Sequence, residues 1–188
     1  WPSLVTLGRD DDGAHILIDL EAAGTLHLIG DDQVDTALAA IAVELATCDW
    51  SDEVNITLVG QICPGLEEAL GSATLTRAAD VDALLTTLEA RANDQRRILT
   101  EESPLAAHRA DPALSDGFDT EVILLNTDLT EAQRDRLANL IEALPRVSVA
   151  AVTTSHTSPH EWSLTLTGDP LAADVAPLGW HIHPQTLS

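Results

Sequence analysis

A three-layer α/β/α domain with a mainly parallel sheet, entered through an N-terminal β-hairpin, is the fold this sequence predicts. Three observations carry the prediction. Extended and helical apolar patterns alternate through the middle of the chain, the signature of strands linked by helical crossovers. The best extended runs, 26–29, 56–59 and 122–125, are almost continuously apolar, as strands covered on both faces must be. An Asp12-Gly13 turn between two β-prone runs supplies the hairpin.

The elements follow in chain order. Leu4-Val5-Thr6-Leu7 and His15 to Leu20 read as the two hairpin strands around the turn from Gly8 to Gly13. A third strand, Thr25 to Ile29, ends at Gly30 and passes into a helix over Gln33 to Thr47, where Val34, Leu38, Ile41, Ala42 and Leu45 recur at helical spacing. Asn55 to Gly60 is a buried strand and Ala73 to Thr76 a short one. Val81 to Glu102 is an amphipathic helix, with Glu89, Arg91, Asp94, Arg96 and Arg97 forming a solvated face. Ser103 to Asp119, with Pro104, Pro112 and Gly117, reads as a polar, mobile loop. The strand Glu121 to Leu125, a helix from Thr130 to Leu144 and the strand Val147 to Val152 come next. Thr130 and Gln133 have the spacing of a capping box. Trp162 to Thr167 and Gly179 to Pro184 read as edge strands with Trp caps.

A chain of 188 residues with 45% apolar composition buries about 70% of its unfolded surface, so a packed core needs neither disulfide nor metal. No linker is long enough to divide it, and residues 1–188 read as one domain. The start at Trp1-Pro2 and the lack of any Met suit a domain excised from a larger protein. All nine cations are Arg, against 31 carboxylates, for a net charge of -22. Such a balance repels phosphate backbones and anionic membranes, which excludes nucleic-acid binding by this domain and favours basic protein partners or sibling domains. No apolar run reaches the 18 residues a membrane span needs. Cys48 and Cys63 have no metal-ligand spacing and read as small buried hydrophobes, with a disulfide or a reactive thiol as the alternatives.

In open α/β sheets the first strand-to-helix turn is the usual anion cradle. Here it runs Gly30-Asp31-Asp32-Gln33-Val34-Asp35-Thr36-Ala37. A phosphate loop needs Gly, four free positions, Gly-Lys and then Ser or Thr. Counted from Gly30, the second glycine is Asp35, the lysine Thr36 and the hydroxyl Ala37. Carboxylates at a helix N-terminus stabilise the helix and repel a polyphosphate, so Asp31, Asp32 and Asp35 read as helix caps rather than as a cation site.

The succession Leu7-Gly8-Arg9-Asp10, Gly13, Asp19-Leu20, Leu26-His27-Leu28-Ile29-Gly30, Glu44-Leu45-Ala46 and Val54 to Val59 resembles the core of FtsK/HerA-type motor ATPases. The resemblance implies a P-loop NTPase-like sheet. It matches Val122 to Asn126 to the motors' acidic metal-and-water strand and Val149 to Ser155 to their sensor strand. The expected acidic pair is Asn126-Thr127, no Lys exists, and none of the nine arginines is identifiable as a finger. The segments Leu7 to Asp10, Asp19 to Gly24 and Val43 to Thr47 further resemble the degenerate ATPase-like region of large multi-domain bacterial regulatory proteins. Those proteins join membrane segments, a LysM module and a BTAD-like helical domain. That likeness implies a cytoplasmic regulatory or scaffolding module, which can be the cytoplasmic part of a membrane-anchored protein.

Rival chemistries are weaker. His181 and His183 share a strand face and His156 and His160 are four apart, yet no Glu sits between two His and no helix aligns the second pair. No Gly-x-Ser-x-Gly elbow exists. Glu67-Glu68 and Glu101-Glu102 are adjacent, so on a helix they diverge. Asp10 to Asp12 lack the spacing of a calcium loop. The reading is a non-enzymatic, nucleotide-binding-deficient interaction domain with no catalytic, cofactor-binding or metal-ligating residue. A metal- or nucleotide-dependent enzyme or sensor with an atypical site is the alternative.

Overall fold

The computed structural model describes residues 3–48, 54–100, 104–111, 115–154, 162–168 and 171–187. The hairpin is β1 (Leu4–Arg9) and β2 (His15–Asp19), followed by the one-turn helix α1 (Leu20–Ala23). Next come β3 (Thr25–Ile29), α2 (Gln33–Thr47), β4 (Val54–Gly60), α3 (Leu66–Leu70), β5 (Leu75–Ala78) and α4 (Val81–Ile98). After α5 (Leu105–Arg109) and a 3-10 turn at Ser115–Phe118 the chain forms β6 (Thr120–Asn126), α6 (Glu131–Glu142) and β7 (Val149–Thr153). It ends in the antiparallel run β8 (Ser163–Thr167), β9 (Ala172–Ala176) and β10 (Trp180–Pro184).

One ten-stranded sheet has the order β2-β1-β10-β9-β8-β3-β7-β6-β4-β5. The six strands from β8 to β5 are parallel, and β9, β10, β1 and β2 extend them as an antiparallel wing. The continuous apolar runs lie in the centre, where alternate residues feed two separate cores. Val122, Leu124, Ala150 and Val152 join Val34, Leu38, Ile41 and Leu45 of α2 on one face. Ile123, Leu125, Val149 and Ala151 join Leu85, Leu88 and Ala92 of α4 and Leu137, Leu140 and Ile141 of α6 on the other. Strand period 2 therefore divides one apolar run between two helical layers. The three-layer, mainly parallel expectation holds.

Local signals hold where they are self-contained. Thr130 Oγ1 accepts from the Gln133 amide at 3.3 Å while Gln133 Oε1 accepts from the Thr130 amide at 3.0 Å, completing the capping box of α6. Three expectations are corrected. The strands at 163–167 and 180–184 are interior, because β9, built of small residues, pairs with both; among the described residues the sheet edges are β2 and β5. Leu20 opens α1 instead of ending a strand, because Asp19 accepts from the amides of Glu21 and Ala22 and caps the turn.

The stretch read as a mobile loop is the third correction, since its described parts are anchored. His108 is buried and stacks on Phe118 at 4.7 Å between ring centroids. Arg109 forks onto Glu21 at 3.0 and 2.7 Å and also donates to Thr120 Oγ1 and to the Phe118 carbonyl. Trp1 and Trp50 lie outside the described residues. Trp162 packs against the core and Trp180 is 49% exposed.

Candidate functional site

The carboxyl ends of β3, β6, β7 and β4 are where a fold of this kind builds a site. Between β3 and α2 stand only Gly30, Asp31 and Asp32, and the helix has begun by Gln33. A phosphate loop needs five residues before its second glycine. Two of the positions it would use, Gln33 and Val34, are already helical, and Val34 is buried in the core. The Val34 amide, which a cradle would aim at a ligand, donates to the Asp31 carbonyl at 3.0 Å. Gly30 has φ +152°, and a Cβ there would meet the Leu166 carbonyl oxygen at 3.0 Å, Leu166 Cβ at 3.2 Å and Val34 Cγ2 at 3.3 Å. The space beside the turn is filled by β8 and α2.

The aspartates do not cap as expected. Asp32 occupies the N-cap position in helical conformation and makes no side-chain capping bond. Asp35 instead reaches across the sheet, where Asn126 Nδ2 donates to its Oδ1 at 3.1 Å. The same Nδ2 donates to the Gln61 carbonyl at 3.1 Å, and Asn126 Oδ1 accepts from Thr154 Oγ1 at 3.3 Å. Asn126 thus ties α2, the segment after β4 and the segment after β7 together. An amide suits this position because it donates and accepts at once, which a carboxylate cannot do. Asp128, the next acidic residue, is exposed beyond the end of β6.

Gly60 shows how tightly the ends meet. It has φ +87°, and a Cβ on it would lie 2.0 Å from the Asn126 carbonyl oxygen. Beyond it, Arg77 of β5 laces the segment from Gly60 to Glu67. Its guanidinium donates to the carbonyls of Gly60 and Ile62, each at 2.7 Å, and holds Glu67 at 2.5 and 3.0 Å. These bonds hold the Glu67 carboxyl below its usual range. Cys63, on this loop at φ +38°, has its thiol pushed up by burial, a shift that the Arg77 charge opposes. Cys48 and Cys63 form no disulfide, and both are half-buried rather than fully buried.

Several other arginines are engaged away from these strand ends. Arg136 of α6 binds Glu89 and Asp82 of α4, Arg109 binds Glu21, and Arg96 donates to the carbonyls of Leu140, Ala143 and Pro145. Arg91 approaches Glu121 at 3.4 Å, and Thr57 donates to the same carboxylate at 2.6 Å. Burial drives the Glu121 carboxyl above the usual range, while Thr57 and Arg91 pull it back. Glu121 was not singled out by the sequence, nor was buried His27, whose Nδ1 lies 2.8 Å from Thr153 Oγ1.

The described pair, His181 and His183, is met by carboxylates. His181 Nδ1 contacts Asp174 Oδ1, and His183 Nε2 lies 3.5 Å from Asp11 Oδ1. His156 and His160 are outside the described residues. Among the described residues no group of three His, Cys, Asp or Glu is placed to hold a metal ion. No helix among them is long and apolar enough to cross a membrane.

No protein-family model and no curated protein sequence matches the chain. Solved structures do. The cytoplasmic domain of the type VII secretion ATPase EccC of Thermomonospora curvata matches with a TM-score of 0.65 at 10% identity, over 98% of this chain and 26% of that one. The pCW3 conjugation coupling protein TcpA, solved as a monomer form with ATPγS, matches with a TM-score of 0.66 at 11% identity, over 100% of this chain and 67% of that one. The cytoplasmic domain of EssC gives 0.65 at 12%, over 100% of this chain and 44% of that one. The chain spans from about a quarter to two thirds of the length of these structures. They are FtsK/HerA-type P-loop ATPase domains, and theirs is the fold of this chain.

Proposed function

We propose that the domain is a nucleotide-binding-deficient, non-catalytic relative of the secretion and conjugation motor ATPases, serving as a scaffold or regulatory interaction module within a longer cytoplasmic or membrane-anchored polypeptide. The carrying observation is the three-residue link Gly30–Asp32, which leaves no loop to wrap a phosphate. Three further features support it. The chain has no Lys to meet a phosphate charge, the resemblance matches Asn126 to the motors' acidic position, and its amide is spent on Asp35 and Gln61. Asp31, Asp32 and Asp35 beside the turn repel a polyphosphate. The net charge of -22 selects basic protein surfaces or sibling domains as partners over nucleic acid. The larger protein is of the LysM- and BTAD-bearing regulatory kind, a reading that rests on the short segments named above.

The test is thermal unfolding with and without 5 mM Mg-ATP or Mg-GTP. A nucleotide at one hundred times its dissociation constant adds about 2.7 kcal/mol to folding. For a chain of this size that raises Tm by roughly 5–11 °C. No shift is expected. A saturable rise of several degrees would favour a nucleotide sensor or enzyme with an atypical site.

A further inference from the structure

Among the described residues β2 is an open edge of the sheet, paired with β1 alone. An open edge is a template for another strand. Two hydrogen bonds fix which of its backbone groups face outward. The Leu20 amide donates to the Ser3 carbonyl and the Asp10 amide to the Ala14 carbonyl, so Ala14 and Leu20 turn their polar groups toward β1. In an antiparallel ladder that direction alternates along the strand. Ile16 and Ile18 therefore bond inward, while His15, Leu17 and Asp19 present N–H and C=O to the open edge.

Side chains alternate as well. Ile18 is buried and Ile16 packs against the same core, which leaves His15, Leu17 and Asp19 on the other face. Leu17 is 46% exposed. His15 is exposed and, unlike His181 and His183, meets no carboxylate among the described residues. Asp19 spends Oδ1 on the amides of Glu21 and Ala22 and keeps Oδ2 for a donor from outside.

We propose that β2 pairs with β2 of a second copy of this chain, antiparallel about a two-fold axis at Leu17. The argument is self-complementarity in His15-Ile16-Leu17-Ile18-Asp19, an apolar centre between ends of opposite polarity. An axis at Leu17 sets that side chain against its own copy, His15 against Asp19 of the second copy, and Ile16 against Ile18 of the second copy. The residues with outward backbone groups then meet one another as hydrogen-bonded pairs, and the two isoleucines form the closer, non-hydrogen-bonded pair. An imidazole donates to a carboxylate whether it is neutral or charged. Moving the axis to residue 16 or 18 would instead set Leu17 against His15 or Asp19. The contact is isologous and closes at a dimer.

The opposite edge, β5, has no such pattern. It is four residues long, and its Arg77 is fastened to Glu67 and to the carbonyls of Gly60 and Ile62. Repulsion sets the strength of the β2 contact. The pairing carries Asp10, Asp11 and Asp12 of the β1–β2 turn toward Glu21 of the second copy, a carboxylate that Arg109 holds. Each copy also bears a net charge of -22. The Debye length shrinks from about 8 Å at physiological salt to about 3 Å at 1 M, so salt relieves this repulsion and strengthens the dimer. A contact between two short edge strands is small, and the dimer is weak and concentration-dependent. The proposal is independent of the crevice between β3 and β6 and survives if nucleotide binds there.

The experiment is analytical ultracentrifugation of the chain from about 10 μM to about 1 mM, at 150 and 500 mM NaCl, with amide hydrogen exchange followed at both ends of the range. The expected result is a monomer–dimer equilibrium that concentration and salt push toward dimer. Protection should be gained at His15, Leu17 and Asp19 and stay unchanged at Ile16 and Ile18, which β1 already bonds. In a mixture of labelled and unlabelled chain, the α-protons of Ile16 and Ile18 should give an NOE between copies. Leu17→Lys and Leu17→Glu should each weaken self-association at least tenfold, and mixing the two variants should restore a heterodimer, because the two-fold sets position 17 against itself. Misfolding would not produce that recovery. A monomer across the whole range would overturn the proposal. So would a dimer indifferent to Leu17→Lys, or protection gained away from β2. A monomer that instead adds an extended segment of a different protein along β2 would overturn it too, assigning the edge to that protein.

Discussion

Replacing Asn126 by Asp introduces an acidic group at the end of β6, and the hydrogen bonds around it indicate that it should destabilise the domain. The new carboxylate would lose both Nδ2 donations, to Asp35 Oδ1 and to the Gln61 carbonyl, each at 3.1 Å, and keep only the bond from Thr154. Each lost bond costs about 0.5–1.5 kcal/mol. Two carboxylates about 4 Å apart repel by about 1 kcal/mol in water and about 4 at an effective dielectric of 20. The Asp35 contact is exposed, so the lower figure applies. The sum is about 2–4 kcal/mol, or a fall in Tm of roughly 4–16 °C. Thermal unfolding by circular dichroism measures it. One refinement follows from the same geometry. The swap Asn126→Asp/Asp35→Asn should recover about half of it, because the amide introduced on α2 can donate to the carboxylate introduced at the end of β6. A stable Asn126→Asp variant whose Tm rises further with Mg-ATP would refute the reasoning, for the position would then be a vacant metal-and-water site.

Other consequences are quicker to check. Glu121 has its carboxyl raised, chiefly by burial, so the folded state binds that proton more tightly than the unfolded chain. This group's contribution to stability therefore falls as pH rises from the ordinary glutamate range through the raised value. Glu121→Gln should flatten that part of the pH–stability curve and leave stability at pH 7 unchanged or higher, whereas a loss above about 2 kcal/mol would contradict it. Arg91→Ala should cost about 2 kcal/mol by urea unfolding, less than the roughly 3–5 of a fully buried pair because the Arg91 side chain is 33% exposed. Arg109→Ala should cost about 3 kcal/mol and expose residues 104–111 to proteases, since it removes four donations to Glu21, Thr120 and Phe118; unchanged proteolysis there would show that the anchor is elsewhere.

How much of this was legible in the sequence depends on how far each signal reaches. The span of α2 was readable because Val34, Leu38, Ile41 and Leu45 repeat within one helix, and the capping box of α6 because Thr130 and Gln133 are three residues apart. The short strand β9 was missed, because Ala172-Ala173-Asp174-Val175-Ala176 alternates with too few large residues to register. Without it, β8 and β10 read as edges. The anchoring of 104–111 and 115–119 rests on Glu21, 88 residues from Arg109, and no local pattern reports such a pair. The site shows the same division. The mismatch of Gly30 to Ala37 with a phosphate loop was plain from residue identity, but the fate of Asp35 was not, because its partner Asn126 lies 91 residues away at the end of β6. Local chemistry showed the departure of Gly30 to Ala37 from a phosphate loop, and only the fold showed the hydrogen bonds between Asn126, Asp35 and Gln61.

The most direct measurement follows the backbone amides of Gly30 to Asp35 and the side-chain amide of Asn126 by NMR while Mg-ATP is added to 5 mM. Those resonances should stay where they are, with the Asn126 amide protons slowed in exchange by their bonds to Asp35 and Gln61. A saturable movement of Gly30, Val34 and Asn126 together would mean that nucleotide enters between β3 and β6, and the central claim would fall.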